Sequence, residues 1–129
     1  MGLSRRFGAS ADITGADGDD VIVCGGLDAG ATVDARGGAD TITLTGDVSG
    51  TVLGGDGADV ILADGAVTIR GLVEGVGEND FIDINGTVAP TGRVHGDDGD
   101  DVLHVHVNQG EWTGATARTC VRSTAEISP

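Results

Sequence analysis

The sequence predicts an all-β protein, a right-handed parallel β-roll or β-helix (a solenoid) of about five coils of 19–21 residues each. Three observations support this: a turn motif that recurs five times, aliphatic residues in fixed register with it, and an unusual composition. Glycine accounts for 24 of 129 residues, whereas the chain has only two phenylalanines, one tryptophan and no tyrosine. Short valine- and isoleucine-rich runs between glycines are typical of short strands joined by tight turns.

The repeated motif is a glycine-rich turn that ends in an aspartate and continues into an aliphatic run. The five aspartates are Asp20, Asp40, Asp59, Asp80 and Asp101, so the steps between them are 20, 19, 21 and 21 residues. Such even spacing indicates stacked coils, each of which repeats one supersecondary unit.

Aliphatic residues hold a fixed register with the motif. A β-branched residue stands seven positions before each aspartate and a large aliphatic residue two positions after it, so these two are always nine residues apart. The return interval varies between 10 and 12 residues, which predicts two strands per coil, one constant turn and one variable turn. Period-two alternation predicts three inward columns: Ile13, Val33, Val52, Val73, Val94; Ile22, Ile42, Ile61, Ile82, Leu103; and Cys24, Leu44, Ala63, Ile84, Val105.

The third repeat, residues 54–62, reads GGDGADVIL and matches G-G-x-G-x-D-x-U-x, where U is a large aliphatic residue. Over about residues 11–107 the chain resembles the repeats-in-toxin, or hemolysin-type, calcium-binding family. The fourth repeat departs from this pattern, with Glu78 in place of a glycine. The resemblance implies calcium ions between successive turns, held by aspartate carboxylates and turn carbonyls. It also implies an extracellular or cell-surface location, although no secretion signal is recognised.

The residue types in the turn fit that chemistry, because calcium takes about six to eight oxygen ligands in flexible geometry. Each ion needs two turns, so five turns predict up to four Ca²⁺ ions along one edge. The predicted carboxylate ligands are Asp17, Asp20, Asp40, Asp56, Asp59, Asp80, Asp98 and Asp101. The predicted carbonyl ligands lie near Gly15, Gly18, Ala35, Gly38, Gly54, Gly57, Gly75, Gly96 and Gly99.

The net charge of −14 makes a stack of like-charged turns self-repulsive, so we expect folding to be coupled to calcium. The predicted function is a calcium-binding, secreted structural or interaction module. Residues 1–10 form a lead, 11–107 the β-roll, and 108–129 a tail or cap. The excess of acidic residues and the absence of lysine argue against nucleic-acid binding. No apolar run is long enough to insert into a membrane, and no catalytic motif indicates an enzyme.

Two alternatives remain open for the function. The first is a metal-free β-solenoid whose aspartates form Asx-turns and whose flat surface binds a glycan or ice. The second is a non-catalytic repeat fragment of a larger secreted toxin, protease or polysaccharide-modifying enzyme. Calcium titration would separate the first alternative from a calcium-binding module.

Three smaller predictions concern the surface and the cysteines. The outward residues Val21, Val60, Phe81 and Val102 form an apolar face that favours a protein partner or self-association; the strand propensity of valine alone could also explain them. His104 and His106 are interpreted as solvent-facing residues rather than metal ligands. Cys24 and Cys120 are expected to be free thiols, because about four coil steps separate them.

Overall fold

A computed structural model of the protein describes residues 6–9, 12–64, 67–108, 111–113 and 120–126. Its fourteen regular elements are all β-strands, and no helix occurs in those ranges. The strands are β1 (Arg6–Ala9), β2 (Ile13–Thr14), β3 (Val21–Leu27), β4 (Thr32–Asp34), β5 (Thr41–Leu44), β6 (Thr51–Gly55), β7 (Val60–Ala63), β8 (Thr68–Ile69), β9 (Leu72–Val76), β10 (Phe81–Val88), β11 (Arg93–Asp97), β12 (Val102–Asn108), β13 (Glu111–Thr113) and β14 (Cys120–Glu126).

The strands form two parallel sheets in which neighbours come from successive coils. The first sheet has the order β1-β3-β5-β7-β10-β12-β14, and the second has the order β13-β11-β9-β6-β4-β2. The aliphatic residue two positions after each aspartate pairs with its counterpart in the next coil, as in Ile22↔Ile42 and Ile42↔Ile61. Each coil therefore repeats the one before it, which confirms the predicted all-β solenoid with parallel, stacked coils.

The three predicted inward columns form the core. Every member of these columns is buried, and all but Ile13 and Ala63 are completely inaccessible to solvent. Strand β7 alternates half-buried and buried side chains, as period-two alternation requires. Both sheets thus direct one face inward, and the motif aspartates immediately precede the strands of the first sheet.

A further apolar column lies on the return side of the coil, where the sequence predicted only a variable turn. Leu27 bridges to Val48, Val48 bridges to Ile69, and Ile69 pairs with Val88 at the end of β10. All four side chains are buried. The long strand β10 reaches this column through a register shift after Ile84. The return side is therefore an aliphatic corner, which we call the Leu27–Val88 corner.

The ladders also include segments outside 11–107. Strand β1 pairs with β3, β13 pairs with β11, and β14 pairs with β12, all in parallel. The backbone assigned to the lead and the tail thus contributes strands to both ends of the stack. Cys24 is a free, buried thiol; the side chain of Cys120 lies outside the described residues, so its state stays a prediction.

Candidate metal centre

The five motif aspartates form a buried column along one edge of the solenoid. Asp20, Asp40, Asp59 and Asp101 are 1% exposed and Asp80 is 3% exposed. They stack because the residue after each aspartate begins a strand of the first sheet, as in the pairings Val21↔Thr41 and Phe81↔Val102. Buried carboxylates are costly unless they are paired, hydrogen-bonded or bound to a metal.

One oxygen of each of four aspartates is satisfied by the preceding coil. The backbone N–H of Asp20 donates to Oδ1 of Asp40 at 2.7 Å, and that of Asp40 donates to Oδ1 of Asp59 at 2.9 Å. The same bond joins Asp59 to Asp80 and Asp80 to Asp101, both at 2.9 Å. The column is thus a hydrogen-bonded ladder in which carboxylates link one coil to the next.

The other oxygen of every carboxylate has no hydrogen-bond partner among the described residues. These atoms are Oδ1 of Asp20 and Oδ2 of Asp40, Asp59, Asp80 and Asp101, and all five are buried. Native proteins leave few buried polar atoms unpaired, and a bound ion is one of the standard explanations for those that remain. The described residues therefore leave one unpaired carboxylate oxygen in each coil.

A turn carbonyl approaches the same space as the unpaired oxygen of Asp59. A Cβ on Gly54 would lie 2.5 Å from Oδ2 of Asp59 and 2.9 Å from the carbonyl oxygen of Gly75 in the next coil. The first coil differs, because the oxygen of Asp20 that lies beside Gly15 is Oδ2, which accepts the backbone N–H of Ala16 at 2.7 Å, whereas the unpaired oxygen of Asp20 is Oδ1. Beside Asp59, glycine keeps this space open, and a carboxylate and a carbonyl from adjacent coils converge on it, a donor set that fits a hard cation.

Burial perturbs the acidity of the column. It raises the pKa of Asp59 and of Asp80 to about 7, with the neighbouring aspartates of the column adding to the increase. Burial also raises the pKa of Asp40 and of Asp101. For these four aspartates, the ionised form is thus disfavoured unless a cation compensates its charge.

In the second to fifth repeats, the turn has the same backbone, in which the second and fourth motif positions adopt positive φ. At the second position the angles are 75° for Arg36, 100° for Gly55, 89° for Val76 and 65° for Asp97. At the fourth they are 108° for Gly38, 115° for Gly57, 68° for Glu78 and 114° for Gly99. The fourth repeat therefore keeps the turn shape although Val76 and Glu78 replace glycines, at the cost of left-handed strain.

The fourth-position carbonyls point into the gap between coils. A Cβ on Gly57 would collide with the carbonyl oxygen of Gly38, and one on Gly99 would collide with that of Glu78. The predicted carbonyls near Gly38 and Gly75 thus face the adjacent coil, where a bound ion would need them.

The second acids of the turns lie elsewhere. Asp17, Asp56 and Asp98 are exposed on the outer side of their turns, and Asp17 makes an ion pair of 3.4 Å with Arg36. The structure therefore does not bring these three predicted ligands into the buried column. Sequence reasoning also missed a role at the fifth position, where Oδ1 of Asp19 and of Asn79 accepts the backbone N–H of Ala39 and Asp100 in the next coil.

The chain matches no protein-family model, no curated protein and no solved structure. Within the residues that the structure describes, none of the secondary structure is a helix long and apolar enough to cross a bilayer. The resemblance to the hemolysin-type repeats therefore remains an expectation carried by the motif alone.

The outer face of the first sheet carries the predicted apolar residues. Val21 is 48% exposed, Phe81 38% and Val102 41%, whereas Val60 is half-buried and Thr41 interrupts the column. Beside them lies an open groove of about 320 Å³, in which Nδ1 of His104 lies 3.2 Å from Oδ1 of Asp83.

Proposed function

We propose that this protein is a calcium-binding structural or interaction module whose coils are held together by cations along the aspartate column. The observation that carries the proposal is the set of five buried aspartates, each with one unpaired carboxylate oxygen. The arrangement around Asp59 supports it: Gly54 has no side chain there, and the carbonyl oxygen of Gly75 lies close to the same point as the carboxylate.

The ions would be held by residues from adjacent coils. The carboxylate of Asp59 and the carbonyl of Gly75, for example, belong to the third and fourth coils. Calcium would supply positive charge where buried carboxylates accumulate. Four ions would lower the formal net charge from −14 to about −6 and reduce the repulsion that opposes stacking.

The experiment is far-UV circular dichroism of the full chain with chelator and after calcium is added back. We expect an unfolded spectrum in chelator and a β-rich spectrum in calcium, because metal binding and folding are coupled when no site exists in the unfolded chain. Calorimetric titration gives the number of ions, for which we expect up to four. A chain that is fully folded in chelator and binds no calcium would overturn the proposal.

A metal-free solenoid remains the second candidate, and the Oδ1 ladder favours it. Backbone N–H groups already bind one oxygen of each carboxylate from Asp40 to Asp101. With the other oxygen protonated, the column would be neutral and would need no cation. In that case the spectrum is β-rich in chelator, calcium has no effect, and the flat sheets would serve to bind a surface such as a glycan or ice.

The location and the partner follow only from the resemblance and from the exposed face. An extracellular or cell-surface site would supply the calcium that such a module needs. The exposed Val21, Phe81 and Val102 favour a protein partner or self-association, and catalysis is not part of the proposal. Sedimentation of wild type and Phe81→Asp in calcium tests the face: equal masses and equal partner binding would contradict it.

A further inference from the structure

A second group of metal-ligating side chains lies on the outer face of the second sheet, away from the buried side of the aspartate column. Glu74 lies in β9 and His95 in the neighbouring β11, where the two residues pair directly. Asp97 follows His95 by two residues in β11, which places it on the same face. Two adjacent strands thus bring two carboxylates and one imidazole to one place.

The three side chains approach one another closely. One ligand atom from each lies within 4.8 Å of the other two, and Nδ1 of His95 lies 3.7 Å from Oε2 of Glu74. The side chains of His95 and Glu74 are only 21% and 25% exposed, and Asp97 is half-buried. A shift of well under 2 Å per ligand would therefore suffice to close them around an ion with bonds of about 2.0–2.2 Å.

The electrostatics of the group also favour a cation. Burial raises the pKa of Glu74, and a contact with the Asp97 carboxylate raises it further. Two acids that are held against each other in a half-buried site repel when both are ionised. One imidazole offsets part of this repulsion, whereas a divalent ion would offset all of it.

We propose that Glu74, His95 and Asp97 bind one divalent transition-metal ion, of the class represented by Zn²⁺, on the outer face of the second sheet. The imidazole nitrogen sets this class apart from calcium, which takes oxygen ligands, because imidazole suits zinc, copper, iron and nickel. Three protein ligands leave at least one coordination position for water. None of these three ligands belongs to the aspartate column.

The first sheet provides a matched comparison. His104 and Asp83 also pair across adjacent strands, at 3.2 Å, with side chains that are 37% and 34% exposed. In the part of the chain that the structure describes, however, only the group around His95 has a third ligand within reach. The two histidine–acid pairs therefore separate the contribution of a third ligand from that of an ordinary ion pair.

The test is calorimetric titration of the full chain with Zn²⁺ in excess calcium, so that the stack is folded whichever account of the aspartate column holds. We expect one zinc site in wild type and in His104→Ala. We expect His95→Ala and Glu74→Gln to bind zinc at least about tenfold more weakly, since even a change outside the ligand shell produces such a loss. Circular dichroism of each variant establishes that it is folded.

Cobalt provides a second readout that a structural role would not change. Co²⁺ bound by nitrogen and oxygen ligands should give visible absorption bands in wild type and in His104→Ala, and these bands should be absent in His95→Ala. Zinc binding that is equal in His95→Ala and wild type, or that is lost only in His104→Ala, would overturn the proposal.

Discussion

The aspartate edge and the Leu27–Val88 corner stack the same coils in opposite ways. At the edge, five carboxylates are buried with one oxygen of each left unpaired. At the corner, Leu27, Val48, Ile69 and Val88 are buried against one another with no polar side chain among them. Aliphatic burial stabilises the stack without depending on pH or calcium, whereas the contribution of the edge depends on what neutralises its charge.

One part of the stability of the stack is therefore independent of calcium and pH, and another part depends on them. The corner and the three inward columns favour the stacked coil in water, and the ionised edge opposes it. Calcium or acid would therefore act through the edge alone, and mutations in the two regions should respond differently to both.

The largest effect is expected at the corner. Ile69 is completely buried, and Ile69→Ala should lower the free energy of unfolding by about 2–5 kcal/mol because it leaves a cavity. The loss should be the same at any calcium concentration that keeps wild type folded, measured by urea denaturation. Val102→Ala, at an exposed position, is the control and should change stability by less than about 0.5 kcal/mol. A calcium-dependent loss at Ile69 would break the contrast between the two regions.

A middle aspartate should matter more for calcium than a terminal one. Asp59 faces turns on both sides and Asp20 faces one described turn, so Asp59→Asn should bind fewer ions. We expect its affinity to fall by at least about tenfold, or about 1.4 kcal/mol. Asp20→Asn is the matched control, and calorimetry provides the measurement. Equal losses from the two substitutions would contradict binding between successive coils.

Without metal, acid should stabilise the stack. The pKa of Asp59 and of Asp80 is about 7 in the folded protein, compared with the ordinary value of 3.8. Between these values the folded state retains protons that the unfolded chain releases, so stability increases as the pH falls from about 7 toward 3.8. Above about 7 this contribution is absent.

The folded fraction in chelator, followed by far-UV circular dichroism between about pH 8 and about pH 5, measures the effect. Asp59→Asn should flatten the dependence because it removes one titrating group. A metal-free wild type that is more stable at the higher pH would contradict the buried, unpaired column.

The smallest effect is expected in the strained fourth turn. Val76 has a φ of 89° and Glu78 a φ of 68°, and each left-handed L-residue costs about 1–2 kcal/mol. Val76→Gly or Glu78→Gly should therefore raise the free energy of unfolding by about 1 kcal/mol, as measured by urea denaturation. Ala58→Gly, in the third turn and without positive φ, should lower it slightly. A loss of stability in both fourth-turn variants would show that those side chains contribute more than the strain costs.

The sequence predicted the regular parts of the molecule and missed the irregular ones. The aspartate, valine and isoleucine columns recur at nearly constant intervals, so alternation assigned their faces correctly. The Leu27–Val88 corner was missed because its members are offset by register shifts and lie within the variable interval. Asp56 and Asp98 lie between residues with left-handed backbone, which residue types alone do not specify. Glu74, His95 and Asp97 are adjacent only through strand pairing.

The direction of the ladder has a consequence for a growing chain. The N–H of each of the first four motif aspartates donates to a carboxylate that comes about twenty residues later in the sequence. While the chain emerges from the ribosome N-terminus first, the newest coil always has a buried donor whose acceptor has not yet been synthesised. The hydrogen bonds of the ladder therefore form in order from the N-terminus. The aspartate N–H of each coil gains its acceptor only when the next coil is added, and a product truncated between coils ends on a turn whose N–H has no acceptor.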